Sequence, residues 1–270
     1  MIKILCPTDF SSNSEFAVEY SVHLANAIGA TLTLVTSYKV PVYVGSPVSW
    51  GARIREFLES DLTEFAAKFK PLITTGYEPE TAVVQGNTSV SILEYARKSG
   101  TDLIIMGTTG SSSLEKVIFG SITRKFFETS DIPVLAIPST SRGYGNSNKI
   151  VLALDSGGIS NEHSIKILKQ LKKLPLASLD AIHVTTTSDE DINLKPNTGK
   201  LAGIVDNIAD VEGSDTVYEI KKYADDNNAG ILAMVGRKHS VWDKLFFERK
   251  SVSELTLSDI PVLFLPENND

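Results

Sequence analysis

Three glycines and a row of hydroxyl side chains follow the apolar stretch "TDLIIM", in the segment "GTTGSSSLEKVIFGS". The glycines are Gly107, Gly110 and Gly120, and Ser121 comes directly after the last of them. Glycine weakens regular structure, so its use here indicates either turns that only glycine can make or a ligand close to the backbone. Backbone N–H groups in a glycine turn and at a helix N-terminus bind phosphate and other anions. The segment predicts one of these two: an anion site or a set of structural turns.

A second candidate is "CPTD", in which Asp9 follows the first apolar run of the chain. Ligands of open parallel sheets bind beyond the carboxyl ends of the strands, where the strand order reverses. At such an end, Asp9 can accept hydrogen bonds from a ribose or a base. Ser121 begins the segment "SITRKFFETS", where a helix would add free N–H groups and the positive end of its dipole. The structural alternative is that the glycines only turn the chain and Ser121 only caps a helix.

Other kinds of chemistry find little support in the sequence. There is no G-x4-G-K-[ST] loop, and the serines at 111–113 have no histidine and aspartate nearby to activate them. The histidines are scattered, with no two at the spacing of metal ligands: His23, His163, His183 and His239. We therefore predict no catalytic residue and no protein-held metal. Asp9 could meet Mg²⁺ only through the phosphates of a bound nucleotide.

The elements that position these residues alternate between apolar runs and amphipathic segments. One such segment, "SSNSEFAVEYSVHLANAIG", indicates a helix with a capping box made by Ser12 and Glu15. Helical crossovers between near-continuous apolar strands are typical of a parallel sheet covered on both faces. The predicted strands of the first half are "IKILC", "TLTLVTS", "TAVVQ", "DLIIM" and "PVLAIP".

The chain repeats this plan. "SDIPVLAIP" in the first half matches "SDIPVLFLP" in the second, and "IKILCPTD" at the start of the first half matches "NKIVLALD" at the start of the second. Matched features in the same order indicate a tandem duplication. The polar, glycine-rich stretch between the halves reads as a linker. We predict a first domain over 1–140, a linker over 141–148 and a shorter second domain over 149–270.

The glycine segment, followed by "DIPVLAIP", resembles the ATP-binding signature of the universal stress protein family. The opening "IKILCPTDFSSNSEFAVEYSVHLANAIGATLTLVTS" also resembles that family's first strand, helix and second strand. The resemblance covers the whole chain as two tandem domains. It implies two Rossmann-like α/β domains of the adenine nucleotide alpha hydrolase-like type. Each would have a five-stranded parallel sheet of order 3-2-1-4-5 with helices on both faces.

The resemblance also implies roles for residues of the first half. Around adenine and ribose it would place Pro7, Thr8 and Asp9, and beside the adenosine Met106 and Gly107. The phosphates would be held by Gly110, Gly120 and Ser121, with a further hydroxyl from Ser111. The implied ligand is ATP, with or without Mg²⁺, and AMP or ADP are alternatives. Family members pair through their last strands, so the two matched phrases are expected to form a pseudo-dimer within one chain, and a homodimer of that unit is the alternative.

The second half departs from its own pattern. Its corresponding segment is "GRKHSVWDKLFFERKS", which keeps Gly236 but has His239 where Gly110 stood. Arg249 and Lys250 replace the last glycine and serine. A side chain at 239 crowds the backbone, and two cations at a helix start oppose its dipole. We expect a dead or repurposed site here; the alternative is a site that binds an anion through the basic side chains of residues 237–250.

Composition limits the remaining function classes. The net charge of −7 and the sequence pI near 5.2 argue against a nucleic-acid surface. The chain has a single cysteine, Cys6, which excludes an internal disulfide and fits a reducing compartment. It contains no apolar run of 18 residues, the length that would indicate a membrane span. We expect a cytoplasmic stress-response protein that binds ATP in its first domain and hydrolyses it slowly at most. The alternatives are an interaction module without nucleotide and an ATP-using transferase of related fold.

Overall fold

The computed structural model describes residues 1–40, 49–108, 119–154, 157–185, 199–236 and 259–267. Contacts divide the chain into two compact units, Met1–Thr129 and Ser130–Asp270. This division falls before the boundary at residue 140 expected from the sequence, and the domain limits 1–140, 141–148 and 149–270 stay a prediction. Within these described ranges, no helix is long and apolar enough to cross a membrane.

The first unit alternates strands with helices, as the sequence predicts. Its strands are β1 (Lys3–Pro7), β2 (Thr31–Tyr38), β3 (Glu80–Gln85) and β4 (Leu103–Gly107). Its helices are α1 (Ser12–Ile28), α2 (Ser49–Ala67), α3 (Thr88–Ser99) and α4 (Ser121–Thr129), with a short 3-10 helix at Lys70–Leu72. The strand order β3-β2-β1-β4 places the reversal between β1 and β4, and the described pairings are parallel.

Helix α1 begins at Ser12, directly after a residue whose side chain caps it. The cap is Ser11, whose backbone is extended and whose Oγ accepts from the N–H of Ser14. The predicted capping box of Ser12 and Glu15 is wrong, because Ser12 already lies inside the helix and the cap stands one residue earlier. The helix ends at Gly29, whose positive φ of 65° suits glycine and closes the last turn.

The second unit repeats the order with one addition. Its strands are β5 (Val134–Ile137), β6 (Lys149–Ala153), β7 (Ser178–Thr185), β8 (Asn207–Glu212), β9 (Ile231–Gly236) and β10 (Val262–Pro266). The helices described in this unit are α5 (Glu162–Leu171) and α6 (Thr216–Asp226), with a short 3-10 helix at Gly199–Leu201. Strands β8-β7-β6-β9-β10 are parallel and follow the predicted order 3-2-1-4-5, and β5 pairs with β10 in antiparallel register.

Burial explains why β4 and β10 are apolar throughout. All five residues of β10 and the first four residues of β4 are buried, as expected for strands of a parallel sheet. In each unit the strand order reverses between two adjacent strands, β1 with β4 and β6 with β9, and ligands of open parallel sheets bind beyond the carboxyl ends at such a reversal. The predicted α/β fold with parallel sheets is confirmed.

Candidate functional site

The end of β1 is held by a network of hydroxyl groups. The backbone N–H of Thr8 donates to the carbonyl of Val35 on β2, at 2.9 Å. The Thr8 side chain is buried, and its Oγ1 lies 2.9 Å from Oγ of Ser14 and accepts from the N–H of Phe10. Thr8 therefore shapes the turn after Pro7 with its side chain and its N–H, and both groups are already used inside the protein.

Asp9 comes next and is exposed at the carboxyl end of the strand. Its Oδ1 accepts from both the N–H of Ser11, at 3.1 Å, and the hydroxyl of Ser11, at 2.5 Å. These bonds orient the carboxylate at the start of α1. A carboxylate fixed in this way is a hydrogen-bond acceptor suited to a ligand with hydroxyl groups.

Phe10 completes this connection and was not singled out from the sequence. Its φ of 63° is unusual for a residue that is not glycine and carries a cost of order 1–3 kcal/mol. Its ring packs edge-on against Phe65 of α2, with centroids 5.4 Å apart. The aromatic contact offsets the strain and fixes the turn. In the sequence, only the run of hydroxyl residues in "TDFSSNS" indicates that this loop forms many internal hydrogen bonds.

The end of β4 is joined to the first turn of α4. Thr123 donates its hydroxyl to the carbonyls of Gly107 and Thr108, at 3.1 and 3.2 Å. The N–H of Gly120 donates to the carbonyl of Thr108, at 2.7 Å. These bonds bring Gly120 and the start of α4 back against the end of the strand. Met106, just before, is buried.

Helix α4 begins at Ser121, as predicted, because the N–H of Arg124 donates to the carbonyl of Gly120. The first three N–H groups of such a helix have no acceptor within it. Nε of Arg124 is the one buried side-chain nitrogen or oxygen without a hydrogen-bond partner in the described parts of the chain. Unsatisfied donors and a cation at a helix start fit a negatively charged ligand.

Most of the predicted binding residues thus lie at two adjacent strand ends. Register places β1 beside β4, with Ile4 opposite Leu103 and Leu5 opposite Ile104. Strand β1 ends at Pro7 and is followed by Thr8 and Asp9. The other strand end and its helix include Met106, Gly107, Gly120 and Ser121. Gly110 and Ser111 lie outside the described residues. Their role, like the roles of the others, stays a prediction.

In the second unit the same places are occupied differently. Asp155, the counterpart of Asp9, lies outside the described residues, as do residues 237–258 with His239, Arg249 and Lys250. The described part of this strand end consists of Gly236, the first turn of α5 and the last residues of β10. There Glu267, which is 8% exposed, accepts from Ser160 and Asn161.

Other candidates for chemistry are accounted for by packing. Burial raises the pKa of the Cys6 thiol to about 12, with a small opposing effect from Ser21, so this cysteine stays protonated. Among the residues that the structure describes, no group of three or more His, Cys, Asp or Glu side chains could hold a metal. His183 lies on β7 and pairs with Asp210 at 3.3 Å.

Comparisons with known proteins find matches to part of this chain. The model of the universal stress protein family matches residues 1–138. The chain is 32% identical over 138 residues to a universal stress protein of Methanocaldococcus jannaschii, covering 50% of this chain and 81% of that protein. It is 26% identical over 160 residues to a stress response protein of Bacillus subtilis, covering 50% of this chain and 96% of that one.

Two solved structures extend the comparison. A universal stress protein from Archaeoglobus fulgidus covers 99% of this chain and 97% of its own, with a TM-score of 0.72 at 20% identity. This likeness concerns the fold of both halves. A universal stress protein in complex with cAMP covers 50% of this chain and 96% of its own, with a TM-score of 0.41 at 23% identity.

Proposed function

Because the chain belongs to the universal stress protein family, we propose that it is a stress-response protein that binds ATP in its first unit. One observation carries the proposal. Thr123 and Gly120 bond the first turn of α4 to the carbonyls of Gly107 and Thr108. The helix start is thereby fixed at the end of β4, the neighbour of the strand that leads into Asp9, and a nucleotide would need a phosphate site and a ribose site at these adjacent strand ends.

The residues divide by the part of the nucleotide they would contact. Pro7, Thr8 and Asp9 would surround adenine and ribose, and Met106 and Gly107 would lie beside the adenosine. The phosphates would meet the four residues of the signature: Gly110, Ser111, Gly120 and Ser121. Mg²⁺ would enter with the phosphates of ATP, and AMP or ADP would use the adenosine contacts with fewer of the phosphate contacts.

Bound ATP would supply a charged group whose presence reports the energy state of the cell. The chain's own residues hold and orient it: Asp9 as an acceptor fixed by Ser11, and α4 as a donor of N–H groups. We find no residue in the described range placed to activate a nucleophile at this site. The proposal is therefore a nucleotide-dependent regulator with slow hydrolysis at most, acting in the cytoplasm.

The test is calorimetric titration of ATP with Mg²⁺ into wild type and Gly110→Val. We expect one binding site per chain that is lost in the variant, because a valine side chain would crowd the backbone where the phosphates approach. Gly157→Val is the matched control, since Gly157 is exposed and lies in the second unit. Folding of each variant is checked by circular dichroism.

Absence of binding by folded wild type would overturn the assignment and leave an interaction module without nucleotide. Turnover of ATP with an acceptor would favour the transferase alternative instead.

Assembly forms a second part of the proposal. The strands of the two matched phrases, β5 and β10, pair in antiparallel register, with Leu135 opposite Leu263. This pairing supports a pseudo-dimer of two universal stress protein domains within one chain. Analytical ultracentrifugation would then give a species near the chain mass of 29.3 kDa. A species of twice that mass would indicate a homodimer.

A further inference from the structure

The second unit repeats the strand order of the first, so a ligand site is expected between the ends of β6 and β9. Gly236 ends β9 and is the counterpart of Gly107, which the proposed function places beside adenosine. The space next to this glycine is filled. A Cβ atom at position 236 would lie 2.0 Å from Cε2 and 2.4 Å from Cζ of Phe264, far inside contact distance.

Phe264 reaches this place from β10. Register sets it opposite Met234, two residues before Gly236 on the neighbouring strand, so its ring extends along the same face towards the strand end. The ring is 4% exposed. In the matched phrase of the first half, alanine stands at the corresponding position, Ala136, and its single methyl group cannot extend in this way.

A carboxylate comes from the same strand end. Glu267 accepts from the N–H of Ser160, at 3.0 and 3.1 Å to its two oxygens, from the hydroxyl of Ser160, and from the N–H of Asn161 at 3.3 Å. These donors immediately precede α5, and their counterparts in the first unit, the N–H groups of Phe10 and Ser11, donate to residues of their own loop instead. The corresponding residue of the first half is Ser139, which carries no charge.

A third contact holds the strand end in place. Ser164, fully buried in the first turn of α5, donates its hydroxyl to the carbonyl of Pro266 at 2.9 Å. The end of β10 is thus bonded to α5 through its backbone and through the Glu267 side chain, while Phe264 packs over Gly236.

We propose that β10 closes the second unit's strand-end site from within: the Phe264 ring fills the space beside Gly236, and the Glu267 carboxylate takes the donors at the start of α5. This unit holds its own aromatic ring and carboxylate where the first unit would hold a nucleoside. Phe264 and Glu267 therefore determine that the second unit binds no nucleoside. The inference goes beyond the proposed function and does not need ATP to bind the first unit.

The test restores the first-half residues in the double variant Phe264→Ala/Glu267→Ser. The probe is adenosine, without phosphates, because the second half lacks the glycines of the phosphate segment. Binding is followed by the amide signals of Ser160, Asn161 and Gly236 in ¹H–¹⁵N spectra, which report on the second unit alone. We expect saturable shifts in the double variant and none in wild type.

Leu179→Ala is the matched cavity control. Leu179 is fully buried near the start of β7, at the opposite end of the sheet, and its removal should give no response to adenosine. Adenosine shifts of these signals in wild type would overturn the proposal, and so would a folded double variant that does not respond.

A separate variant keeps the proposal falsifiable if the double variant does not fold. In Glu267→Ala, the amide signals of Ser160 and Asn161 should move upfield, and added acetate should return them towards their wild-type positions. Glu162→Ala, an exposed carboxylate on α5, should show no such recovery. Unchanged signals in Glu267→Ala would contradict the carboxylate's role. Failure of ATP binding to the first unit would affect none of these readouts.

Discussion

Ser14 and Ser164 occupy the same position, three residues after the cap of α1 and of α5, and both are buried. The Ser14 hydroxyl bonds within its own loop, to Thr8 Oγ1 and to the carbonyl of Ser11. The Ser164 hydroxyl bonds to Pro266, which is 102 residues away along the chain. The two units thus share a buried serine at the helix start, but its hydroxyl bonds to different partners in each unit.

These different partners bear on the space at the adjacent strand end. In the first unit, the serine hydroxyl at the helix start bonds within its own loop, so no residue of the last strand is drawn to the adjacent strand end. In the second unit, the serine hydroxyl bonds to the end of β10, whose residues occupy that space. Under the two proposals above, the residues at 264 and 267 distinguish the units: the first keeps space for a ligand, and the second fills it.

The largest effect should come from the ring that fills the second unit. We expect Phe264→Ala to reduce the stability of the second unit by about 3–5 kcal/mol, because a fully packed ring is replaced by a cavity. Hydrogen exchange measured by mass spectrometry should show faster exchange in β6 and β9. Exchange in β1 and β4 should be unchanged.

Ala136→Gly, at the matched position of the first half, is the comparison variant and removes only a methyl group. An equal effect of the two variants, or a loss of protection in β1 after Phe264→Ala, would break the distinction drawn between Phe264 and Ala136.

A second contrast lies at the other end of the sheets, at the first residue of β1 and of β6. Lys3 donates its ammonium to the carbonyl of Ser99 in an exposed contact. Lys149 pairs with Asp180 at 2.7 Å, and Asp180 is 2% exposed. We expect Lys149→Met to cost about 1.5–3 kcal/mol, since Asp180 loses its cation but keeps the hydrogen bonds from Asn207 and Tyr223. Lys3→Met should cost about 1 kcal/mol. Urea unfolding at pH 7 measures both.

The pH dependence of this loss provides a check. Burial alone would raise the pKa of Asp180, but hydrogen bonds from Lys149, Asn207 and Tyr223, with the charge of Lys149, outweigh it and lower the pKa. The carboxylate therefore stabilises the fold above its unfolded pKa of about 3.9, and this contribution is lost as the pH falls through the lower folded value. The difference between wild type and Lys149→Met should shrink below about pH 4. A difference independent of pH would contradict the ion pair.

The smallest effect should be equal in the two units. Ser11 and Asn161 cap α1 and α5 by accepting from the N–H of the serine three residues later. Replacing either by alanine should cost about 1 kcal/mol, as for other side-chain caps. Ser60→Ala, an exposed position within α2, should change stability by less than about 0.5 kcal/mol. Thermal unfolding compares the three. A much larger loss for Asn161→Ala would mean that its cap also supports the Glu267 contact.

The fold could be predicted from the sequence because its signals are local or repeated. Continuous apolar strands between helical segments indicate a parallel sheet, and the matched phrases indicate two copies of it. The start of α4 at Ser121 was predicted from a glycine followed by a hydroxyl residue. The start of α1 was misplaced by one residue, since several adjacent serines can each act as a cap.

The contacts that close the second unit could not be predicted in the same way. Phe264 and Glu267 appear in the sequence as one more apolar residue and one more carboxylate near the end of the chain. Their importance depends on register and on distant partners, Gly236 and Ser160, which no periodicity reveals. The positive φ of Phe10 could not be predicted either, because the contact that offsets its strain comes from a distant residue, Phe65 of α2.

The pairing of β5 with β10 has a consequence for how the chain can be cut. Strand β5 belongs to the segment that matches the family model, yet it covers the edge of β10 in the second compact unit. A protease acting in the stretch between β5 and β6 would release a fragment with a bare, entirely apolar strand edge. Such an edge recruits other strands, so we expect the released second half to aggregate.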